Sequence, residues 1–154
     1  MVVEDNGNFS VKEIMNPNVV SLEPTATLKE AAKMMSQQKI GSIVIVDENK
    51  PLGIITERDF VTKIMLNSYS ADSKVSEVMS SPVIHVSPEQ SVADVIDIMA
   101  NKEIRKVPVI DNGKVIGIVT GTEFLRLFVQ ATDKDMQQAY QQYVKRVFSN
   151  WFEE

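Results

Sequence analysis

Two short runs in this chain hold residue types that can do chemistry at a fixed spacing. They are Thr56-Glu57-Arg58-Asp59 and Thr120-Gly121-Thr122-Glu123. A threonine three residues ahead of a carboxylate is, at its plainest, a helix-capping pair. A carboxylate so placed can also accept two hydrogen bonds from a vicinal diol, and the open N–H groups of a helix start suit a phosphate. Arg58 adds a mobile cation beside Asp59, although a solvated arginine is the plainer alternative. Arg105 and Lys106 stand side by side just ahead of an apolar run. Two adjacent cations there call for a visiting anion or for acidic neighbours that neutralise them.

Other reactive constellations are missing. The chain has no cysteine, which excludes disulfides and thiolate metal sites. His85 is the single histidine, and a lone histidine is more often a hydrogen-bonded structural residue than a ligand or base. No metal site is expected. The sequence contains no G-x-x-x-x-G-K-[ST], no G-x-G-x-x-G, no H-E-x-x-H and no calcium loop. Nothing pairs a nucleophile with a base, so the expectation is a binding protein and not an enzyme. A net charge of −5 and a pI near 5.0 argue against nucleic acid or anionic lipid as partners. No apolar run approaches a membrane span and no signal peptide opens the chain, so the default location is cytoplasmic.

The elements that must position these residues come in duplicate. Ile40 to Phe60 reads as apolar strand, polar turn, apolar strand and helix start, and Ile104 to Phe124 reads the same way. An offset of 64 residues (from Val11 to Val75) also carries Met15 to Met79, Pro24 to Pro88, Met35 to Met99, Gly53 to Gly117 and Thr56 to Thr120. Glycine, proline and aspartate punctuation kept in register over such a length marks an internal repeat. The same offset sets Arg105 and Lys106 against Gly41 and Ser42.

Within the first copy, Val11 to Met15 forms a short helical turn that Asn16-Pro17 breaks. Val19 to Leu22 is extended. Thr25 or Thr27 can cap the next helix, with Glu30 at capping-box distance from Thr27, and its apolar face is Leu28, Ala31, Ala32 and Met35. Ser42 to Val46 and Leu52 to Ile55 are strands joined through Asp47-Glu48-Asn49-Lys50. Glu57 to Leu66 is a helix with Phe60 and Ile64 inward. Met1 to Asn8 reads as a loose tail, and Asn67 to Lys74 as a linker. Beyond the repeat, Met136, Tyr140, Tyr143, Val144, Val147, Phe148 and Trp151 recur at helical spacing. This tail packs back on its own module or docks its aromatic face on a partner.

The paired signature, I-M-N-P-N-V-V-S-L…I-G-S-I-V-I-V-D…G-I-I-T-E-R-D-F followed by V-M-S-S-P-V-I-H-V…I-R-K-V-P-V-I-D…G-I-V-T-G-T-E-F, resembles a tandem pair of CBS domains, a Bateman module. The resemblance implies an α/β (α+β) fold: two β-α-β-β-α units packed about a pseudo-twofold axis, with a C-terminal amphipathic helix added. The expected domains span 9–68 and 73–131, with the extension over 133–154. It implies a regulatory, signal-transducing module that senses an adenine nucleotide (AMP, ADP or ATP) or S-adenosylmethionine between its repeats and modulates a partner protein. No cofactor is obligatory. A disc-like homodimer is the expected assembly.

Carried over residue by residue, the resemblance implies a first ligand site of Asn16, Val20, Ile40, Ser42, Thr56, Arg58 and Asp59, with Asp59 on the ribose. Arg105 and Lys106 would reach its phosphates. A second, weaker site would use Ser80, Ile84, Ile104, Thr120 and Glu123. There glutamate replaces the ribose aspartate, and the cation positions are the uncharged Gly41 and Ser42. The rival expectation is an assembly protein with vestigial sites that acts through its C-terminal helix.

Overall fold

The computed structural model of the chain describes residues 9–130, 137, 138 and 140–145, with backbone alone for Phe128 and Gln130. The expected loose tail over Met1 to Asn8 lies outside these residues. So do Met136, Val147, Phe148 and Trp151 of the expected C-terminal apolar face.

The first repeat contributes α1 (Val11–Ile14), β1 (Ser21–Leu22), α2 (Leu28–Gln38), β2 (Ser42–Asp47), β3 (Lys50–Thr56) and α3 (Glu57–Asp59). The second contributes a 3₁₀ turn (Val75–Glu77), α4 (Val92–Lys102), β4 (Lys106–Asp111), β5 (Lys114–Thr120) and α5 (Gly121–Gln130). The fold class is mixed α/β, as expected. β1 pairs parallel with β2, and β2 antiparallel with β3. In the second repeat β4 pairs with β5, and a parallel bridge from Val86 to Val109 stands where Leu22 meets Ile45 in the first.

Local chemistry explains these elements. Ile43, Val44 and Ile45 are consecutive and all buried, the mark of a strand covered on both faces. Residues at positive φ turn the chain between strands: Glu48 and Asn49 before β3, then Asn112 and Gly113 before β5. The helices α2 and α4 both stop at a left-handed residue, Lys39 and Glu103. At the other end of α2, Glu30 Oε2 accepts from Thr27 N at 2.7 Å and from its hydroxyl at 3.0 Å, while Glu30 N donates back to Thr27 Oγ1 at 3.2 Å. Of the expected α2 face, Leu28, Ala31 and Met35 are buried but Ala32 is exposed, and Met34 packs on the core instead.

The capping glutamates are pH-sensitive. The Thr27 backbone N–H, and then its hydroxyl, hold the Glu30 carboxyl below its ordinary 4.5. Ser10 does the same for Glu13. A carboxyl depressed by folding stabilises the fold above its unfolded pKa, and that contribution disappears as pH falls through the folded value. The melting-temperature difference between wild type and Glu30→Gln is therefore expected to shrink as pH drops below 4.5. A difference that grows on acidification would contradict this.

The chain divides into two compact units that do not coincide with its two sequence repeats. Among the described residues, one holds 18–84 and 110–116; the other holds 9–17, 85–109, 117–130 and the described residues beyond 136. The lead-in of each repeat has moved into the unit of the other. Ser10 and Asn16 bridge to Ser91 and Ile118, and Lys74 and Ser80 bridge to Thr27 and Ile54. These are the same contacts 64 residues apart. In the first unit Leu28, Ala31, Met35, Ile43, Ile45, Ile55, Val75 and Val78 form one buried cluster, with Phe60 and Ile64 packed against it as expected. In the second unit Val11 is fully buried, and α1 lies against α5.

After α3 the backbone passes into a π-helix over Phe60–Met65, where a plain α-helix was expected. In the second repeat α5 is α-helical throughout.

Candidate functional site: the two capped carboxylates

Asp59 and Glu123 are the two charged residues recorded as buried among the described residues, at 6% and 4% exposure. Burying a charge is costly unless hydrogen bonds satisfy it, and here they do. Asp59 Oδ2 accepts from Thr56 N at 2.8 Å and from Thr56 Oγ1 at 3.1 Å. Glu123 Oε2 accepts from Thr120 N at 2.7 Å and from Thr120 Oγ1 at 2.6 Å. The longer glutamate folds back onto its threonine as the aspartate does. The extra methylene therefore leaves the capping contact intact.

What differs is the second oxygen. Asp59 Oδ1 lies 2.8 Å from Lys63 Nζ, whereas Glu123 Oε1 lies 3.9 Å from Arg126, a mostly exposed side chain. Lys63 was not singled out in the sequence, although its i, i+4 spacing from Asp59 was the available signal. Its counterpart in the second repeat is Leu127.

Ser42 pairs in register with Thr56, so the start of β2 stands beside the threonine and its carboxylate. Gly41 O accepts from Glu57 N at 3.1 Å and closes this corner. Val20 O accepts from Val44 N at 3.1 Å, and Val20 and Ile40 pack on the same core. Arg58 is exposed. The structure thus brings Val20, Ile40, Ser42, Thr56 and Asp59 into one unit.

Asn16 and Ser80 exchange places relative to the grouping expected from the sequence. Asn16 N and O both bond Ile118 at 2.9 Å, two residues before Thr120 in β5. Ser80 N and O bond Ile54 at 2.9 and 3.1 Å, two residues before Thr56 in β3. Each lead-in satisfies strand-edge groups that the other repeat would leave open, and this backbone demand overrides sequence proximity. Asn16 therefore belongs with Glu123, and Ser80 with Asp59. Ile84 falls in the same unit as Ser80 and is 38% exposed; Ile104, Arg105 and Lys106 fall in the unit of Glu123.

One residue of the C-terminal extension reaches the helix that carries this second carboxylate. Tyr143 is buried and stacks on Phe124 with ring centroids 4.5 Å apart. A Cβ on Gly121 would stand 2.9 Å from its hydroxyl. Glycine at this position, where the first repeat has Glu57, lets the phenol approach the first turn of α5. Burial pushes the Tyr143 hydroxyl above its usual pKa of 10.0, the positive charge of Arg105 opposing and Tyr140 adding to the rise. Tyr143 thus packs on its own chain.

Among the described residues no cluster of histidine, cysteine or carboxylate has a metal-binding arrangement, and no helix is long and apolar enough to cross a membrane.

The family model of the CBS domain matches residues 11–66 and again 75–130. An uncharacterised protein of Methanopyrus kandleri is 38% identical over 140 residues, 88% of this chain and 71% of its own. The CBS domain-containing protein YhcV of Bacillus subtilis is 34% identical over 110 residues, 71% of this chain and 79% of its own. Among solved structures, a protein with CBS domains from Burkholderia ambifaria superposes with a TM-score of 0.75 at 26% identity, covering 81% of this chain and 97% of that one. The CBS domain pair of protein MJ0100, solved with 5′-methylthioadenosine and S-adenosyl-L-methionine, superposes with a TM-score of 0.72 at 31% identity, covering 79% and 97%.

Proposed function

Because the chain belongs to the CBS-domain family and carries two copies of that domain, we propose that it is a regulatory module that binds an adenosine-bearing ligand and passes its occupancy to a partner protein. The observation that carries this reading is the buried, threonine-capped Asp59 beside Ser42, in a chain 31% identical to a CBS pair solved with two adenosyl compounds. AMP, ADP, ATP and S-adenosylmethionine are the candidate ligands. Each carries the ribose diol that a carboxylate with a free acceptor position recognises.

The first site is assigned to Val20, Ile40, Ser42, Thr56 and Asp59, joined by Ser80 and Ile84 from the second repeat's lead-in. Arg58 is the candidate phosphate partner within this unit. The second site is assigned to Asn16, Ile104, Thr120 and Glu123, and it is the weaker one. The support for that asymmetry is Tyr143, whose hydroxyl already occupies the space over Gly121. No step of chemistry is assigned to either carboxylate, since both serve as helix caps.

The mechanism is differential affinity: a ligand that binds one arrangement of the chain better shifts the population toward it, and a partner reads the shift. The test is a thermal-shift and titration series with AMP, ADP, ATP, S-adenosylmethionine and 5′-methylthioadenosine. At least one is expected to stabilise the protein with one dominant site. Asp59→Asn keeps an acceptor for Thr56 but loses the charge, and it is expected to weaken that ligand at least tenfold; Glu123→Gln is expected to leave it unchanged. Two equal sites would overturn the asymmetry.

A screen in which no adenosine compound binds would favour a second reading, an assembly protein. The observation behind it is apolar exposure at matching positions of both repeats: Val61 and Met65 in the first, Leu125 and Val129 in the second. Such surface suits self-association, and a homodimer is part of either reading.

A further inference from the structure

Lys63 is fully engaged. Its Nζ lies 2.8 Å from Asp59 Oδ1, 3.1 Å from Val78 O and 3.2 Å from Ser80 Oγ. An ammonium has three N–H donors, and these three acceptors use them all. One end of this contact is the candidate ribose carboxylate. The other is the lead-in of the second repeat.

The carboxylate is nearly full as well. It has about four acceptor positions. Thr56 takes two through its N–H and hydroxyl, and Lys63 takes a third. A vicinal diol donates two hydrogen bonds, so one occupant must leave before both can form. The Thr56 N–H is fixed by the backbone, and the Thr56 hydroxyl beside it belongs to the same helix cap. Lys63 hangs on a flexible stem, and its side chain is 39% exposed, so water can solvate the ammonium once it is released. Lys63 is the occupant that leaves at least cost.

We propose that Lys63 is a displaceable latch and a specificity-determining residue of the first site. A ribose diol wins Asp59 only by expelling the ammonium, and expulsion frees the Val78–Ser80 segment from its side-chain anchor. Ser80 stays paired with Ile54 through its backbone, so the segment loosens without leaving β3. The latch exists in one repeat alone, because Leu127 stands at the matching position. It also sits in the π-helical stretch Phe60–Met65, which the second repeat lacks. Such insertions are frequent at functional sites. This inference rests on the ligand reading given above, and it adds what that reading omits: a local competitor for the carboxylate, and a route from occupancy to the second repeat's lead-in.

The test compares wild type with Lys63→Met, which keeps the apolar stem and removes the ammonium. Adenosine, with two adjacent hydroxyls, and 2′-deoxyadenosine, with one, are titrated into each. The uncharged probes remove phosphate attraction from the comparison. Lys63→Met is expected to bind adenosine about tenfold more tightly, the value of one charge-assisted hydrogen bond no longer in competition. The deoxy compound needs a single acceptor and should gain little, so discrimination between the two widens. Hydrogen exchange at Val78 and Ser80 should rise when adenosine binds wild type and stay constant in Lys63→Met. Lys63→Gln serves as the second variant should the methionine substitution fail to fold. Equal or weaker adenosine binding in a folded variant overturns the latch while leaving the ligand reading standing. Absence of binding by wild type and variant alike overturns both.

Discussion

Gly53→Ala is expected to destabilise the protein by about 2 kcal/mol, the cost typical of overpacking at a site that cannot relax. A methyl on Gly53 would stand 2.7 Å from Ser80 O and 2.7 Å from Met79 Sδ. The sulfur ends a flexible chain and can move. The carbonyl cannot, because it accepts from Ile54 N at 3.1 Å in the bridge that holds the second repeat's lead-in on β3. The glycine is therefore required by close approach of two backbones. Gly117 is the matching position, where a methyl would meet Met15 Sδ at 2.5 Å but Asn16 O only at 3.2 Å. Gly117→Ala should cost less, since a side chain bears most of the overlap. Urea denaturation of both variants gives the comparison. Equal costs, or a larger one at Gly117, would show that the methionines and not the carbonyls set the limit.

Tyr143→Ala is expected to cost about 3 kcal/mol, the loss that follows truncation of a buried aromatic side chain. Tyr143 is 5% exposed and stacked on Phe124, so truncation removes both apolar burial and a ring pair. Gly121→Glu, which gives the second repeat the first repeat's residue, should dislodge the same phenol from the other side. Both variants should make the C-terminal extension more sensitive to protease, and neither should weaken a ligand held at Asp59. The contact also carries a pH signature. Folding raises the Tyr143 pKa above 10.0, so the neutral hydroxyl contributes fully below the unfolded value and that contribution is lost as pH rises past it. Wild type should therefore lose stability relative to Tyr143→Phe above pH 10. Stability differences that do not change with pH there would argue that the hydroxyl is solvated in the fold.

The family and fold class were open to a reader of the sequence because their signals are local and doubled. Continuous β-branched runs at Ile43–Val46, turn residues at Asn49 and Gly113, and Thr27 with Glu30 act over a few residues, so their type and spacing carry the message. The same holds for Thr56 with Asp59 and Thr120 with Glu123, which each form their cap as the spacing implied. Lys63 was legible in principle, since i, i+4 is a local relation. It was hidden by the expectation that Arg105 and Lys106 are the cations of interest.

By itself the order of residues determined the duplicated strand-strand-helix unit, its punctuation and the two capped carboxylates, because each follows from propensities and hydrogen bonds within one turn or hairpin. Only the tertiary structure decided which lead-in serves which repeat, which cation holds Asp59, and that Tyr143 fills the space over Gly121. Those choices join residues far apart in the chain. They are made by open strand edges, buried charges and apolar area seeking partners wherever the folded backbone brings them, and a linear pattern does not encode that proximity.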